Sequence, residues 1–179
     1  MTRGPAQAMA GLLLLLLPST VWCQRHDPLT PAEIGQLRDT AYEPDLRLKL
    51  YVQFARARLT AVEQVRSDPK VTDRGGEIHA RLRDFVEVYD ELNDNIDTYV
   101  DRKADLRKIL KTIIEGDSEF QARLRALKDA GDASKEEAQR YQFSLSEALD
   151  TVDSSIQDHR QLLASQEEAA KHKAKKAGT

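Results

Sequence analysis

From residue 78 to residue 113, side chains at one helix face recur in alternating steps of four and three for about five heptads, and this seam constrains the fold more than anything else in the chain. It runs Ile78, Leu82, Phe85, Tyr89, Leu92, Ile96, Tyr99, Lys103, Leu106, Leu110, Ile113, with Lys103 its one charged member. Val86, Val100 and Ile114 on one flank and Val88 and Ile109 on the other widen the apolar face beyond what a two-stranded coiled coil buries. The pattern predicts one helix over residues 77–114, on the order of 55 Å long, with at least two neighbours. A kink or break is expected just after it, at Gly116-Asp117, because glycine weakens a helix interior and Asp117 or Ser118 can cap a new start. Phe120, Leu124 and Leu127 then carry the apolar face on towards Ala130-Gly131.

Helix signals flank this stretch on both sides. Leu29-Thr30-Pro31-Ala32-Glu33 has the form of a start, with Thr30 as cap, Pro31 at the first helical position and Glu33 closing a capping box. A short helix to about Tyr42 follows. Pro44 prevents one helix from running through Glu43, so a second is predicted over residues 44–67, with Leu48, Tyr51, Phe54, Ala55, Leu59, Val62 and Val65 as its apolar stripe. Asp68-Pro69-Lys70 and Gly75-Gly76 mark the turn behind it. Ser134 and Glu137 form another capping box. They open a last helix on the order of 50 Å long, whose apolar positions run Ala138, Tyr141, Leu145, Ala148, Leu149, Val152, Ile156, Leu162, Leu163. The expected fold is all-α: an elongated antiparallel bundle of three long helices plus a short N-terminal one, with coiled-coil-like packing. The last helix would pair antiparallel with the central one, and the 44–67 helix would fill the groove between them.

Arg3 precedes an apolar stretch over residues 8–17 that ends in six consecutive leucines, followed by Pro18 and a less apolar segment. This is the layout of a secretory signal peptide. Val21 and Cys23 at the −3 and −1 positions place cleavage before Gln24, so residues 1–23 are expected to be removed and the mature protein to be secreted or periplasmic. A lipoprotein reading would make Cys23 the acylated first residue, but the bulky Trp22 fits poorly where such signals want a small side chain. The apolar run falls short of the roughly 20 residues that span a bilayer, so no transmembrane span is expected in the mature chain. Cys23 is the only cysteine, and the mature chain is therefore expected to carry no disulfide. Residues 24–43 would form an N-terminal segment, 44–170 the bundle domain and 171–179 a basic disordered tail.

Leu29-Thr30, with Glu33 three residues on, resembles the Leu-Thr-x-x-Gln motif of the Spy and CpxP family of small exported helical chaperones; Glu33 stands where that family has Gln. The resemblance implies a periplasmic chaperone or envelope-stress protein that holds unfolded clients on a concave, partly apolar, basic surface.

Motifs that carry chemistry are not found. Glu87, Asp90, Asp94, Asp97 and Asp101 share one outward strip of the central helix and read as a solvated face. Asn93-Asp94-Asn95-Ile96-Asp97 looks like a calcium loop, but an EF-hand needs Gly at its sixth position and a carboxylate at its twelfth, where this chain has Thr98 and Ala104. The histidines are His26, His79, His159 and His172, and none follows a Glu by three residues as in di-iron bundles. His159 falls on the buried stripe of the last helix and reads as a hydrogen-bonded core histidine. Glu168 and His172 lie four apart in the tail. There is no Gly-x-Ser-x-Gly elbow, and Gly75-Gly76 is not a phosphate loop. No catalytic, cofactor-binding or metal residue is assigned.

Residues 24–170 carry 22 basic and 30 acidic side chains, while the last nine residues carry four lysines and no acid. The basic end can therefore meet an acidic strip or an anionic surface. Without interleaved aromatics or arginines, nucleic acid is not an expected partner. The chain reads as a non-enzymatic interaction or structural protein that meets a protein partner or itself.

Overall fold

The structure, a computed structural model, describes residues 27–131 and 133–177. The expected signal peptide, its cleavage site and His26 lie outside the described residues. Five helices make up the fold, α1 (Pro31–Asp39), α2 (Pro44–Ser67), α3 (Arg74–Asp101), α4 (Arg107–Asp129) and α5 (Lys135–Ala177), and no strand occurs among the described residues. Their starts follow from local chemistry. Thr30 and Glu33 form the expected reciprocal capping box on α1, Pro44 occupies the first turn of α2, and Asp73 accepts the Gly76 N–H to cap α3. Ser134 accepts the Glu137 N–H at the head of α5, and the Glu137 carboxylate takes the Arg74 guanidinium of α3.

The single central helix expected over residues 77–114 is two helices, and the break falls at Lys103 rather than at Gly116. The Lys103 N–H bonds the Val100 carbonyl at 2.8 Å and the Ala104 N–H bonds the Tyr99 carbonyl at 3.0 Å. These are the two bonds of a Schellman ending, and Lys103 sits at its left-handed position with φ 59°. Glycine usually occupies that position, so nothing in the local sequence announces the turn. Gln166 of α5 then fixes it: Oε1 accepts the Leu106 N–H at 2.8 Å and Nε2 donates to the Ala104 carbonyl at 3.2 Å. Since a left-handed conformation costs a non-glycine residue roughly 1–2 kcal/mol, part of it offset by glycine's larger unfolded-state entropy, Lys103→Gly is expected to raise the unfolding free energy by about 0.5–1 kcal/mol. Lys103→Ile, which completes the apolar seam, is expected to lower it. Urea denaturation compares the two.

Beyond the turn the seam folds back upon itself. Phe85 meets Phe120 edge-on at 5.6 Å, Tyr89 meets the same ring at 6.1 Å, and Tyr89 bonds Asp117, pairs that lie at nearly equal distances either side of Lys103. α3 and α4 thus face each other across the core, while α2 and α5 each lie along both of them. Among the described residues the backbones of α2 and α5 are not neighbours, so α2 does not occupy the expected groove against the last helix. α5 runs opposite to α4, as Gln121–Asp153 and Lys111–Glu167 show. It runs alongside α3 in the same direction, as Arg74–Glu137 and Asn93–Ser155 show.

The core takes in the predicted stripes nearly whole. The seam residues from Ile78 to Tyr99 are buried, as are Leu106, Leu110, Ile113, Phe120, Leu124 and Leu127 of the fold-back and Tyr141, Leu145, Val152 and Ile156 of α5. Val65, Val100, Leu162 and Leu163 are only partly covered. Val52 of α2 is buried although it lies off the predicted stripe, because it fills the space that a side chain at Gly116 would need. The residues expected to form a disordered tail continue α5 as far as Ala177, with the side chains of residues 171–176 exposed.

α1 is fastened to α2 by Arg58, which donates to the Pro28 carbonyl at 2.6 Å and to both Glu33 oxygens at 2.9 and 2.5 Å. Burial by itself would raise the Glu33 carboxyl, but the hydrogen bonds from Arg58 and from Thr30 outweigh it and hold it below the ordinary value. A carboxyl lowered on folding stabilises above its unfolded value and loses that contribution as the pH falls through its folded one. Stability is therefore expected to drop between about pH 5 and pH 3, and Glu33→Gln should flatten that part of a denaturation-against-pH profile.

Candidate functional site

The described core holds few polar side chains, and four buried ones, with the half-buried Asn93, join α3, α4 and α5. Asp117 of α4, with 0% of its surface exposed, accepts the Tyr89 hydroxyl at 2.7 Å on Oδ1. On Oδ2 it meets His159 Nδ1 at 2.8 Å. Beside them, Ser155 Oγ accepts from Asn93 Nδ2 at 3.0 Å. Burial, and then the neighbouring Asp117 charge, push the Tyr89 hydroxyl far above its ordinary range, which keeps it a fixed donor.

Because Asn93 donates through Nδ2, its Oδ1 is turned elsewhere; this atom is buried and, among the described residues, has no hydrogen-bond partner. His159 meets Asp117 through Nδ1, so the Nε2 side of its ring is turned away from the carboxylate. Both residues line a cleft of about 230 Å³ between α3 and α5. His159 is only 4% exposed. Asp97 and Asp158 stand exposed at the rim, and Ile96, Val100 and Leu162 supply apolar wall.

His159 is thus a buried, hydrogen-bonded histidine, as its place on the α5 stripe suggested. Asp117 is no helix cap: it lies inside α4, where the steps Ile113, Asp117, Phe120, Leu124 continue the four-three spacing and mark it as inward-facing. Asn93 leaves the calcium-loop pattern altogether, turned to α5 while Asp94 and Asp97 face solvent on an unbroken helix. His79 Nδ1 meets Ser144 Oγ at 2.6 Å, and His172 sits 3.4 Å from Glu168 on the exposed end of α5. No group of three or more His, Cys, Asp or Glu side chains among the described residues is placed to hold a metal ion.

Outside the cleft, surface charge is sorted by position. Asp90, Asp94, Asp97 and Asp101 are exposed along α3, with Glu87 partly so. Asp90 is raised above the ordinary carboxylate value by burial and then by Asp94, Glu147 of α5 and Glu87, which shows the α5 acid joining the strip. At the far end, Lys103, Arg107 and Lys173 of α5 line one cleft with Asp105, and Arg107, Lys108 and Lys111 line another with Asp105 and Glu167. Arg107 donates to Asp105 and holds that carboxyl down to about 2.

Comparison with known proteins finds no matching family model, no similar curated protein and no similar solved structure. Among the described residues no helix is long and apolar enough to cross a membrane.

Proposed function

We propose that this chain is an exported, non-enzymatic helical protein that works by presenting charged helix surfaces to a protein partner or to a second copy of itself. The observation that carries the reading is the sorting of exposed charge, acidic along α3 with Glu147 and basic at the α3–α4 turn and the end of α5. Exposed large apolar side chains among the described residues are only Tyr42, Leu46 and Phe143, which leaves charge rather than a greasy patch to choose a partner. Export rests on the leucine run and the Gln24 cleavage point, and N-terminal sequencing of the processed protein tests it. The bundle is further taken to be elongated, with coiled-coil-like packing along the α3 and α5 seams, which small-angle scattering measures.

The test of function is sedimentation and affinity capture at about 20 and 500 mM salt, which span the range over which surface charges become screened. Self-association or partner retention that disappears at high salt, and in a variant with Arg102, Lys103 and Lys108 changed to Glu, supports the reading. A salt-independent monomer that retains no partner opposes it. The chaperone alternative draws on Leu29-Thr30, letters that the α1 capping box also accounts for. Suppression of the aggregation of a reduced or heated client at substoichiometric ratio would favour it.

A further inference from the structure

We propose that the basic end of the molecule, where the last turns of α5 run past the α3–α4 turn, docks on an anionic phospholipid surface. The contact is separate from the protein partner proposed above and does not depend on there being one. Gln166 clasps the turn, and Glu167 meets Lys111 at 3.4 Å. From there α5 continues to Ala177 past the start of α4, a length of about 15 Å. The side chains of residues 171–176 are exposed, and Lys173 shares a cleft with Lys103 and Arg107. Two segments distant in sequence thus bring their cations to one end. Residues 101–111 and 163–179 together carry nine lysines and arginines against four carboxylates, whereas the rest of residues 27–179 carries 16 against 26.

The arrangement of these cations suits a charged plane. At about 100° per residue, Lys171, Lys173, Lys175 and Lys176 spread over more than half the circumference of α5. A partner seated along one side of the helix reaches one or two of them. A plane acts through a Debye length of about 8 Å, close to the helix diameter of about 10 Å, so it draws on all four and on the turn beside them. Seven of the nine cations are lysines, compact charges that suit mobile headgroup phosphates better than the rigid fork of arginine does. Residues 168–179 contain no Phe, Tyr, Trp, Leu, Ile, Val or Met, so this segment has no ring on which a base can stack and no long apolar side chain to enter a bilayer. The contact is therefore peripheral and rests on charge. Glu147, which joins the acidic strip, lies about 36 Å before Lys171 along α5, outside the reach of the surface field. Only the basic end is drawn in.

The experiment follows co-sedimentation of the purified protein with vesicles of phosphatidylcholine alone and of its equal mixture with phosphatidylglycerol, at about 20 and 500 mM salt. The phosphatidylcholine vesicle is the reference that separates charge from any apolar contribution of the leucine run. Binding at least about tenfold tighter to the anionic vesicle at low salt, and loss of that preference at high salt, are expected. Each cation brought to such a surface strengthens binding about fivefold. Changing Lys171, Lys173, Lys175 and Lys176 together to Gln should therefore abolish the preference, and Lys103→Gln with Lys108→Gln should cut it about tenfold. Changing Lys70, Lys128 and Lys135 to Gln, all exposed at the opposite end of the bundle, should leave it unchanged. Equal binding to the two vesicles, or equal loss in the opposite-end variant, would overturn the proposal. Loss in the α5 variant with none in the turn variant would do so too, since a basic tail acting alone needs no turn beside it. Self-association without lipid that the α5 and turn variants abolish, with no preference between vesicles, would assign the basic end to the acidic strip of a second copy instead.

Discussion

Asp117→Ala is expected to lower the unfolding free energy by about 3–5 kcal/mol, the loss of two buried hydrogen bonds to a carboxylate at about 1.5–3 kcal/mol each. The carboxylate is wholly buried and accepts from two side chains on two other helices. Alanine leaves the Tyr89 hydroxyl and the His159 N–H facing each other across a void, with no acceptor for either. Neither donor can turn to solvent without giving up packing, since Tyr89 is stacked on Phe85 at 5.6 Å and edge-on to Phe120. Asp117→Asn separates charge from shape. Its carbonyl still accepts from Tyr89, while its NH₂ faces His159 and forces the ring to move its proton to Nε2. A cost of about 1–2 kcal/mol follows, close to that of a single neutral hydrogen bond. Urea denaturation of the two variants gives the difference. A loss below about 1 kcal/mol for the alanine variant would mean that the network adds little to the fold.

The same carboxylate shows how far the sequence could be read. Helix starts were legible because their signals are local: a Thr30-to-Glu33 box, a Pro44 and a Ser134 lie within a turn of what they cap. The inward faces were legible because apolar spacing records burial directly. Asp117 lies on that spacing too, and the four-three steps through it mark an inward position, but a polar residue beside a glycine has the look of a turn as well. The turn itself was hidden, because its left-handed position holds Lys103 and its clamp, Gln166, comes from α5, some sixty residues away. A break in the middle of one seam also decides which helices can touch: folding at Lys103 sends α4 back along α2 and turns α3 and α5 to run together. Periodicity cannot report this, because a straight seam and a folded one have the same spacing. The bonds from Tyr89 and His159 to Asp117 were equally out of reach, since they exist only once three helices have been brought together.

Gly116 bears on the same point and gives a prediction with a large effect. Read as a helix breaker, it is instead a point of close approach: α4 passes α2 so nearly that a Cβ at residue 116 would lie 3.0 Å from Val52 Cγ1 and 3.7 Å from the Phe120 ring. For Gly116→Ala two terms oppose, a helix-propensity gain of about 1 kcal/mol and a contact that Val52 must relieve by a few tenths of an ångström, so little net change is expected. Gly116→Leu has no such balance. Its branched end must enter the space held by Val52 and Phe120, both buried, and it is expected to lower the unfolding free energy by about 3 kcal/mol, the upper part of the overpacking range. The crowding is specific to one neighbour, which makes it separable from general disruption. Val52→Ala should destabilise the native chain by about 1–2 kcal/mol through the lost methyl groups, yet stabilise the Gly116→Leu chain by opening the space the new side chain needs. A double-mutant cycle measured by denaturation then gives a coupling of opposite sign to either single change. Additive effects would show that α2 and α4 do not meet at this glycine.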